Sequence, residues 1–323
     1  MTKRRIFITG AAGFIAFHLA HALKGDALHE NVLFGIDNFN DYYDVGLKRA
    51  RAQILKDKGV LAVIEQDLAS KDALQKIIHD FQPTHVVHLA AQAGVRYSLK
   101  CPEVYLKSNI DGFLNLLEVL KTEPSIKLVY ASSSSVYGNN KKVPFSIHDT
   151  TDHPANVYGV TKKTGELMAY TYHSLFGICT VGLRFFTVYV PWGRPDMAYF
   201  LFTKAILEGR TIDLFHNGVM RRDFTYVDDI VKGIVQSLSI ENGNHLFNLG
   251  NNKPESVERL VELIEHETGK KASKRFLPMP EGEIIETFAD IDLTKEKLGF
   301  NPSTSLDKGI QSFVSWYKSY CHV

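Results

Sequence analysis

Residues 5–16 read Arg5-Ile6-Phe7-Ile8-Thr9-Gly10-Ala11-Ala12-Gly13-Phe14-Ile15-Ala16. The first five form an apolar, β-branched run of the kind a buried strand uses. A helical pattern takes over at Phe14 and Ile15 and continues to about Gly25. Between the two lie Gly10 and Gly13, and Ala16 stands where a third small residue permits close helix–strand packing. Strand, glycine turn and helix in this order make the context of a dinucleotide fingerprint. Its glycines let the backbone approach a pyrophosphate that rests on the helix N-terminus. A purely structural turn of an α/β protein is the competing reading, and the chain downstream decides between them. Lys3-Arg4-Arg5 ahead of an alanine-rich run also imitates a secretory signal, but Gly10, Gly13, His18 and His21 interrupt it.

A second strand, Val32-Leu33-Phe34-Gly35-Ile36, ends at Asp37 with Asn38 beside it. An acidic residue there binds the adenosine ribose hydroxyls and repels a 2′-phosphate, so the expected cofactor is NAD rather than NADP. A third strand, Ala62-Val63-Ile64, leads to Asp67-Leu68 beside the adenine. The fourth, His85 to Ala91, ends in Leu89-Ala90-Ala91, small enough to let the cofactor pass. Its two histidines, three apart on a strand, point to opposite faces and make no metal pair. No other His, Cys or carboxylate cluster has ligand spacing.

A helix from about Val104 carries Asn109 and then Phe113, Leu116, Leu117 and Leu120. The fifth strand, Lys127 to Ala131, runs into Ser132-Ser133-Ser134-Ser135. A serine run can be a flexible loop, yet in a doubly wound sheet the carboxyl ends of strands are where ligands bind. Next comes Tyr158-Gly159-Val160-Thr161-Lys162. On a helix this spacing puts phenol and ammonium on one face, and the cation favours a phenolate that can act as a general base. The same spacing occurs on ordinary solvated helices, so the pair alone decides little. A sixth strand, Thr180 to Phe186, follows. The alternation predicts an α/β protein with a doubly wound parallel sheet, the Rossmann fold.

After Thr187 the pattern loosens. Pro191-Trp192-Gly193-Arg194-Pro195 is a rigid loop, followed by helices from Ala198 to Leu207 and from Asp229 to Leu238. Phe247-Asn248-Leu249-Gly250 is a short strand that rejoins the sheet. A helix around Val257 to Glu267, a proline-rich loop from Pro278 to Gly282 and an amphipathic helix from about Leu306 complete the chain. With no repeat and no low-complexity linker, a smaller C-terminal substrate-binding lobe is expected to interleave with the first. The expected division is 1–186 plus about 225–250 for the NAD-binding domain, and 187–224 with 251–323 for the lobe.

Composition excludes several classes. Hydrophobic residues make up 45% and charged residues 23% of the 323, with 37 Lys and Arg against 36 Asp and Glu. A formal charge of +1 gives no basic face for nucleic acid. No apolar run is long enough to span a bilayer. Cys101, Cys179 and Cys321 are odd in number and far apart, which reads as reduced thiols in a cytoplasmic protein.

Taken together and in this order, the glycine turn, Asp37, Asn109, the serine run and Tyr158/Lys162 resemble the extended short-chain dehydrogenase/reductase superfamily. The resemblance covers nearly the whole chain. Within it, Ala90-Ala91-Gln92-Ala93-Gly94-Val95-Arg96-Tyr97-Ser98, Pro191 to Met197 and Arg222-Asp223-Phe224-Thr225-Tyr226 look like the UDP-glucuronate 4-epimerases. That resemblance implies interconversion of UDP-glucuronate and UDP-galacturonate through a 4-keto sugar, with NAD staying bound. Tyr158 would take and return the C4 hydroxyl proton. Lys162 would lower the pKa of Tyr158 and hold the nicotinamide ribose. Ser133, with Ser134 beside it, would bond the reacting oxygen. The resemblance adds Ser132, Asn109 and Phe186 to the cofactor set and implies a homodimer built on the Asn109 and Tyr158 helices.

Relatives that resemble the chain but catalyse other outcomes carry carboxyl groups where it has Ser134 and Ser135. The 4,6-dehydratases have an Asp-Glu pair there and the uronate decarboxylases a glutamate at Ser135. Without those groups there is no evident acid and base for removing water. A 4-keto uronate readily loses CO2, so a 4-epimerase must restrain its carboxylate, and arginine grips a carboxylate with two parallel hydrogen bonds. Arg194 is the first candidate and Arg96 the second; a phosphate contact or a surface ion pair is the alternative for each. By resemblance Arg222 binds the pyrophosphate, Glu283 lies near the nucleotide ribose and Thr187 beside the substrate, with Lys204 a further candidate. Val190 departs from the family, which has glycine before Pro191-Trp192, and a β-branched residue resists positive φ. Arg221 is a second departure, with no role attached. Another UDP-hexose epimerase, a uronate decarboxylase, or a non-catalytic dinucleotide sensor remain the competing functions.

Overall fold

Arg5–Thr9 lies in β1 (Thr2–Thr9), an inner strand of a seven-stranded sheet in the computed structural model, which describes residues 2–278 and 285–323. Six of its strands alternate with helices in the first 185 residues. They are β1, β2 (His29–Asp37), β3 (Val63–Glu65), β4 (His85–His88), β5 (Lys127–Ser133) and β6 (Thr180–Phe185). Their spatial order is 3-2-1-4-5-6, and the Asn244–Leu249 strand covers the free side of β6. β1 pairs in parallel with β2 and β4, β2 with β3, and β4 with β5. The strand order reverses beside β1, and a doubly wound sheet binds ligands at that point.

The helices between these strands follow local rules. α1 (Phe14–Lys24) buries Ala16, Leu19, Ala20 and Leu23 at helical spacing. α2 (Val45–Asp57) is capped by Asp44, whose carboxylate accepts the Gly46 N–H. α3 (Lys71–Phe81) ends at Gln82 in the left-handed region. Phe7, Val86 and Leu128 from three strands pack against Ile78, Leu116 and Leu120 from the helices. One difference from the periodic reading is instructive. The helix expected from Val104 runs from Pro102 to Leu120, but its middle, Leu106–Asp111, is a π-helical turn between α-helical ends.

The chain divides into two compact units. The first holds residues up to Gly138, Thr150–Arg184 and Val231–Phe247; the second holds Asn139–Asp149, Phe185–Ile230 and Asn248–Val323. Segment 139–149, which the sequence reading leaves with the first domain, belongs to the second unit. Phe145 donates its N–H to Phe288 O, and Phe145 O accepts from Asp290 N and the Asn248 side chain. The second unit has a small sheet in which Arg221–Tyr226 lies between Pro254–Ser256 and Glu286–Thr287, with Thr187–Tyr189 also paired to it. Its core joins helices Ala198–Leu207, Val257–Thr268 and Leu306–Cys321 through Tyr199, Phe200, Leu260, Ile264 and Phe313.

Asp223 fastens this unit from inside. Fully buried, its carboxylate accepts N–H groups from Asn251, Asn252 and Ala289 and the Thr225 hydroxyl. Burial pushes its pKa up, opposed by those donors. Among the described residues no helix is long and apolar enough to cross a membrane, and no group of His, Cys, Asp and Glu could hold a metal.

Candidate active site

The glycine turn is built for a closely approaching ligand. Gly10 has φ +70°, and a Cβ on it would lie 2.7 Å from Ala90 N. Only glycine meets both demands without strain. Leu89 and Ala90, at the end of β4, are pinned to the end of β1 by bonds to Thr9, and Ala91 follows partly exposed. α1 starts at Phe14 and Ile15 behind Gly13 with no side-chain cap, so its first-turn N–H groups face the turn as an anion site. Asp37, at the end of β2, accepts from Ala12 N at 3.1 Å and Phe39 N at 2.8 Å. Burial raises its pKa; the two N–H donors and the Lys48 and Arg51 cations pull the other way.

Three further candidates, Asn38, Asp67 and Leu68, lie just after β2 and β3. Asn38 donates to Asp67 at 3.0 Å, tying the ends of β2 and β3, and Leu68 is buried beside them. Sequence reasoning missed Arg51. It is completely buried on α2 and donates to Ala12 O at 3.0 Å and to the Tyr43 hydroxyl at 2.8 Å. A guanidinium under the turn adds positive potential where a pyrophosphate would rest. The turn, the uncapped helix and the acidic strand end together fit a dinucleotide with free ribose hydroxyls.

Tyr158 and Lys162 lie one turn apart on the Val157–Phe176 helix, with Lys162 Nζ 6.0 Å from the phenol ring centre. Asn156 caps that helix by accepting the Gly159 N–H. Lys162 is buried and donates to Ala131 O at 2.7 Å; burial lowers its pKa to about 8, and Glu166 opposes the fall. Two residues on from Ala131, Ser133 ends β5 and accepts the Ser135 N–H at 3.1 Å. Ser134 begins the short turn that follows, half-buried. The Lys162 bond to Ala131 O ties the helix face that carries Tyr158 to the carboxyl end of β5, where Ser133 lies.

Two candidates serve these residues indirectly. Asn109, in the π turn, accepts from Gln92 N and donates to Gln92 O and to Thr161 Oγ1, at 2.7, 3.0 and 3.0 Å. It ties the segment after β4 to the tyrosine helix. Ser132 commits its hydroxyl to Glu166 at 2.6 Å. The two β4 histidines have separate partners: His85 meets Leu238 O, and His88 meets Thr9 Oγ1 at 2.8 Å. Burial and the Lys162 charge push His88 down to about 3, so it is neutral at working pH.

Arg96 is exposed on the short Val95–Ser98 helix of the first unit. Thr187, Arg194, Lys204 and Arg222 lie in the second unit. Thr187 opens the strand paired with Phe224 and Tyr226, and Phe186 beside it is buried and donates its N–H to Leu249 O. Arg194 presents its Nε and Nη2 to Asp196 at 3.0 and 2.9 Å, so an internal carboxylate holds one edge of the guanidinium. Val190 is buried with ordinary φ. The left-handed residue of this loop is Trp192, φ 63°, whose ring packs on Trp316 and Tyr320. Arg222 donates to Arg221 O and Ile285 O. Lys204 is exposed on its helix, and Glu283 lies outside the described residues.

Comparison with known proteins bears on this geometry. Residues 6–250 match the NAD dependent epimerase/dehydratase family. UDP-glucuronate 4-epimerase 4 of Arabidopsis thaliana is 48% identical over 335 residues, covering 98% of this chain and 75% of the relative. The crystal structure of UDP-glucuronic acid 4-epimerase from Bacillus cereus with UDP-glucuronic acid and NAD superposes with a TM-score of 0.90 at 35% identity. It covers 98% of this chain and 99% of that one. A UDP-glucose 4-epimerase from Thermotoga maritima follows at 0.87 and 28%. The match spans both units, the glycine turn and the Tyr158–Lys162 helix, and the chain belongs to the NAD-dependent epimerase/dehydratase family.

Proposed function

We infer that this chain is an NAD-dependent 4-epimerase that interconverts UDP-glucuronate and UDP-galacturonate. The observation that carries the chemistry is the Tyr158–Lys162 pair, with its buried ammonium anchored on Ala131 O beside Ser133. Near-full-length similarity to UDP-glucuronate 4-epimerases carries the sugar. NAD held at the glycine turn would supply the acceptor, and on return the donor, of the C4 hydride. Tyr158 takes the C4 hydroxyl proton as the hydride leaves and restores it on return, so no proton or electron is consumed overall. Ser133 hydrogen-bonds the reacting oxygen, and the Lys162 charge favours the phenolate. Ser134 and Ser135 offer no carboxyl for dehydration. Arg194, steadied on one edge by Asp196, is our candidate for holding the uronate carboxylate in the plane that resists loss of CO2.

The first unit exposes Leu106, Leu114, Val160, Leu167 and Tyr170 on the Asn109 and Tyr158 helices. Exposed apolar side chains on these two helices support a homodimer. Three free thiols, Cys101, Cys179 and Cys321, suit a reducing, cytoplasmic setting. The test of function is incubation of pure protein with UDP-glucuronate, followed by NMR. UDP-galacturonate without CO2 is expected. UDP-xylose or UDP-arabinose as the main product overturns the epimerase reading in favour of decarboxylation. No turnover of any UDP-sugar, with Tyr158→Phe behaving like the parent, makes the chain a dinucleotide sensor instead.

A further inference from the structure

Behind the Tyr158–Lys162 pair lies a buried polar group that the chemistry above does not use. Glu166 follows Lys162 by one turn, so Tyr158, Lys162 and Glu166 share one helix face. Its Oε1 accepts from Ser132 Oγ at 2.6 Å and from Arg184 Nε at 2.7 Å, and its Oε2 accepts from Arg184 Nη2 at 2.8 Å. Glu166 is 4% and Arg184 2% exposed. Stability alone is a weak reason to bury such a pair, because desolvation offsets most of the attraction and a packed apolar pair commonly does as well.

Its placement suggests another reason. Lys162 holds the carbonyl of Ala131 and Glu166 holds the hydroxyl of Ser132, so one helix face grips two successive residues of β5. The next residue is Ser133. Arg184, on the neighbouring strand β6, fixes the plane of the Glu166 carboxylate with a two-bond fork. We propose that Glu166 and Arg184 are positioning residues of the active site: a clamp that sets Ser133 against Tyr158 and holds a negative charge one turn from the Lys162 ammonium. The proposal rests on the epimerase reading.

Charge agrees with geometry. Burial depresses Lys162 to about 8, and Glu166 is the group that opposes it. His88 faces the cluster from β4 and is neutral; Tyr130 on β5 is held well above its ordinary range by burial and by Glu166. Tyr137 lies under the Arg184 guanidinium at 4.9 Å, Tyr105 packs on Tyr158, and Lys163 stands 3.8 Å from Glu166. Of these neighbours only Glu166 carries a carboxyl group.

The test pairs Glu166→Gln with the double variant Glu166→Met/Arg184→Met, which leaves no lone buried charge. In the double variant we expect retained NAD and a thermal midpoint near the parent's, with kcat for UDP-glucuronate lowered about tenfold or more and KM changed far less. The alkaline limb of kcat should fall by roughly one pH unit, as should the Lys162 titration midpoint followed by NMR on isotope-labelled protein. Glu166→Asp, which keeps the charge, should restore the limb. A double variant with parental kcat and an unshifted Lys162 titration overturns the proposal. So does a kcat loss that tracks loss of NAD and of fold, with the titration unmoved. If the parent turns over no UDP-uronate, the epimerase reading has failed, while the Lys162 titration still answers for the clamp.

Discussion

Lys162 carries a charge in a place that resists charge, and that tension is measurable. Its folded pKa of about 8 lies below the ordinary 10.5, so between those values the unfolded chain binds a proton that the folded chain has released. Stability therefore rises with pH across that window, and the penalty for burying the ammonium is present in full only below about pH 8. Turnover runs the opposite way, since Tyr158 needs the cation beside it. Lys162→Met should therefore stop catalysis while its thermal midpoint, relative to the parent, is highest near neutral pH and loses that advantage towards pH 10. A constant difference in midpoint across the titration contradicts this account. Tyr158→Phe should lower kcat by about 10²–10⁴-fold while NAD remains bound, as nucleotide release on denaturation would report. The pair was legible in sequence because helical periodicity fixes which side chains share a face. Glu166 shares that face too, but a lone carboxylate on a helix reads as solvated until Arg184 arrives from a separate strand. Val190 teaches the converse: the residue type departs from the family, yet positive φ falls on Trp192, and only coordinates say which residue bears the turn.

The glycine turn is the element on which the cofactor end depends. Gly10→Ala combines a left-handed φ with a Cβ forced against the backbone of Ala90. We expect it to destabilise the fold by about 1–3 kcal/mol and to strip NAD during purification. Absorbance at 260 nm and a thermal melt check both, and a holo-protein with parental midpoint would count against the close approach of β4. This element was fully readable, because strand, glycines and helix are contiguous in sequence and each follows a local rule. The Asn109 region was only partly so. Leucine spacing announces a helix, but the π turn at Leu106–Asp111 arises where Asn109 reaches both Gln92 and Thr161. Partners 17 and 52 residues away cannot be seen in a local pattern.

At the scale of the molecule, parallel α/β architecture was legible from strand–helix alternation, whereas the place of segment 139–149 in the second unit was not. Segment 139–149 and Asp223 join the second unit through hydrogen bonds to residues a hundred or so positions distant or to N–H groups of loops. The apolar face of the first unit makes a prediction at this scale. Leu167→Glu with Tyr170→Glu, both on exposed positions, should leave each fold intact and halve the mass seen by light scattering. An unchanged mass rules this face out as the dimer contact. β1 to β6 leave the ribosome by residue 185, but the strand that covers β6 is Asn244–Leu249. Every residue of β6 is buried in the finished protein. During synthesis, then, the growing sheet presents a bare edge of unpaired N–H and C=O groups for about sixty residues of elongation, and a truncated or stalled product would carry that edge permanently. Nonsense truncation before position 244 should therefore yield aggregating fragments rather than a smaller soluble domain, which the soluble fraction of a 1–243 fragment would check.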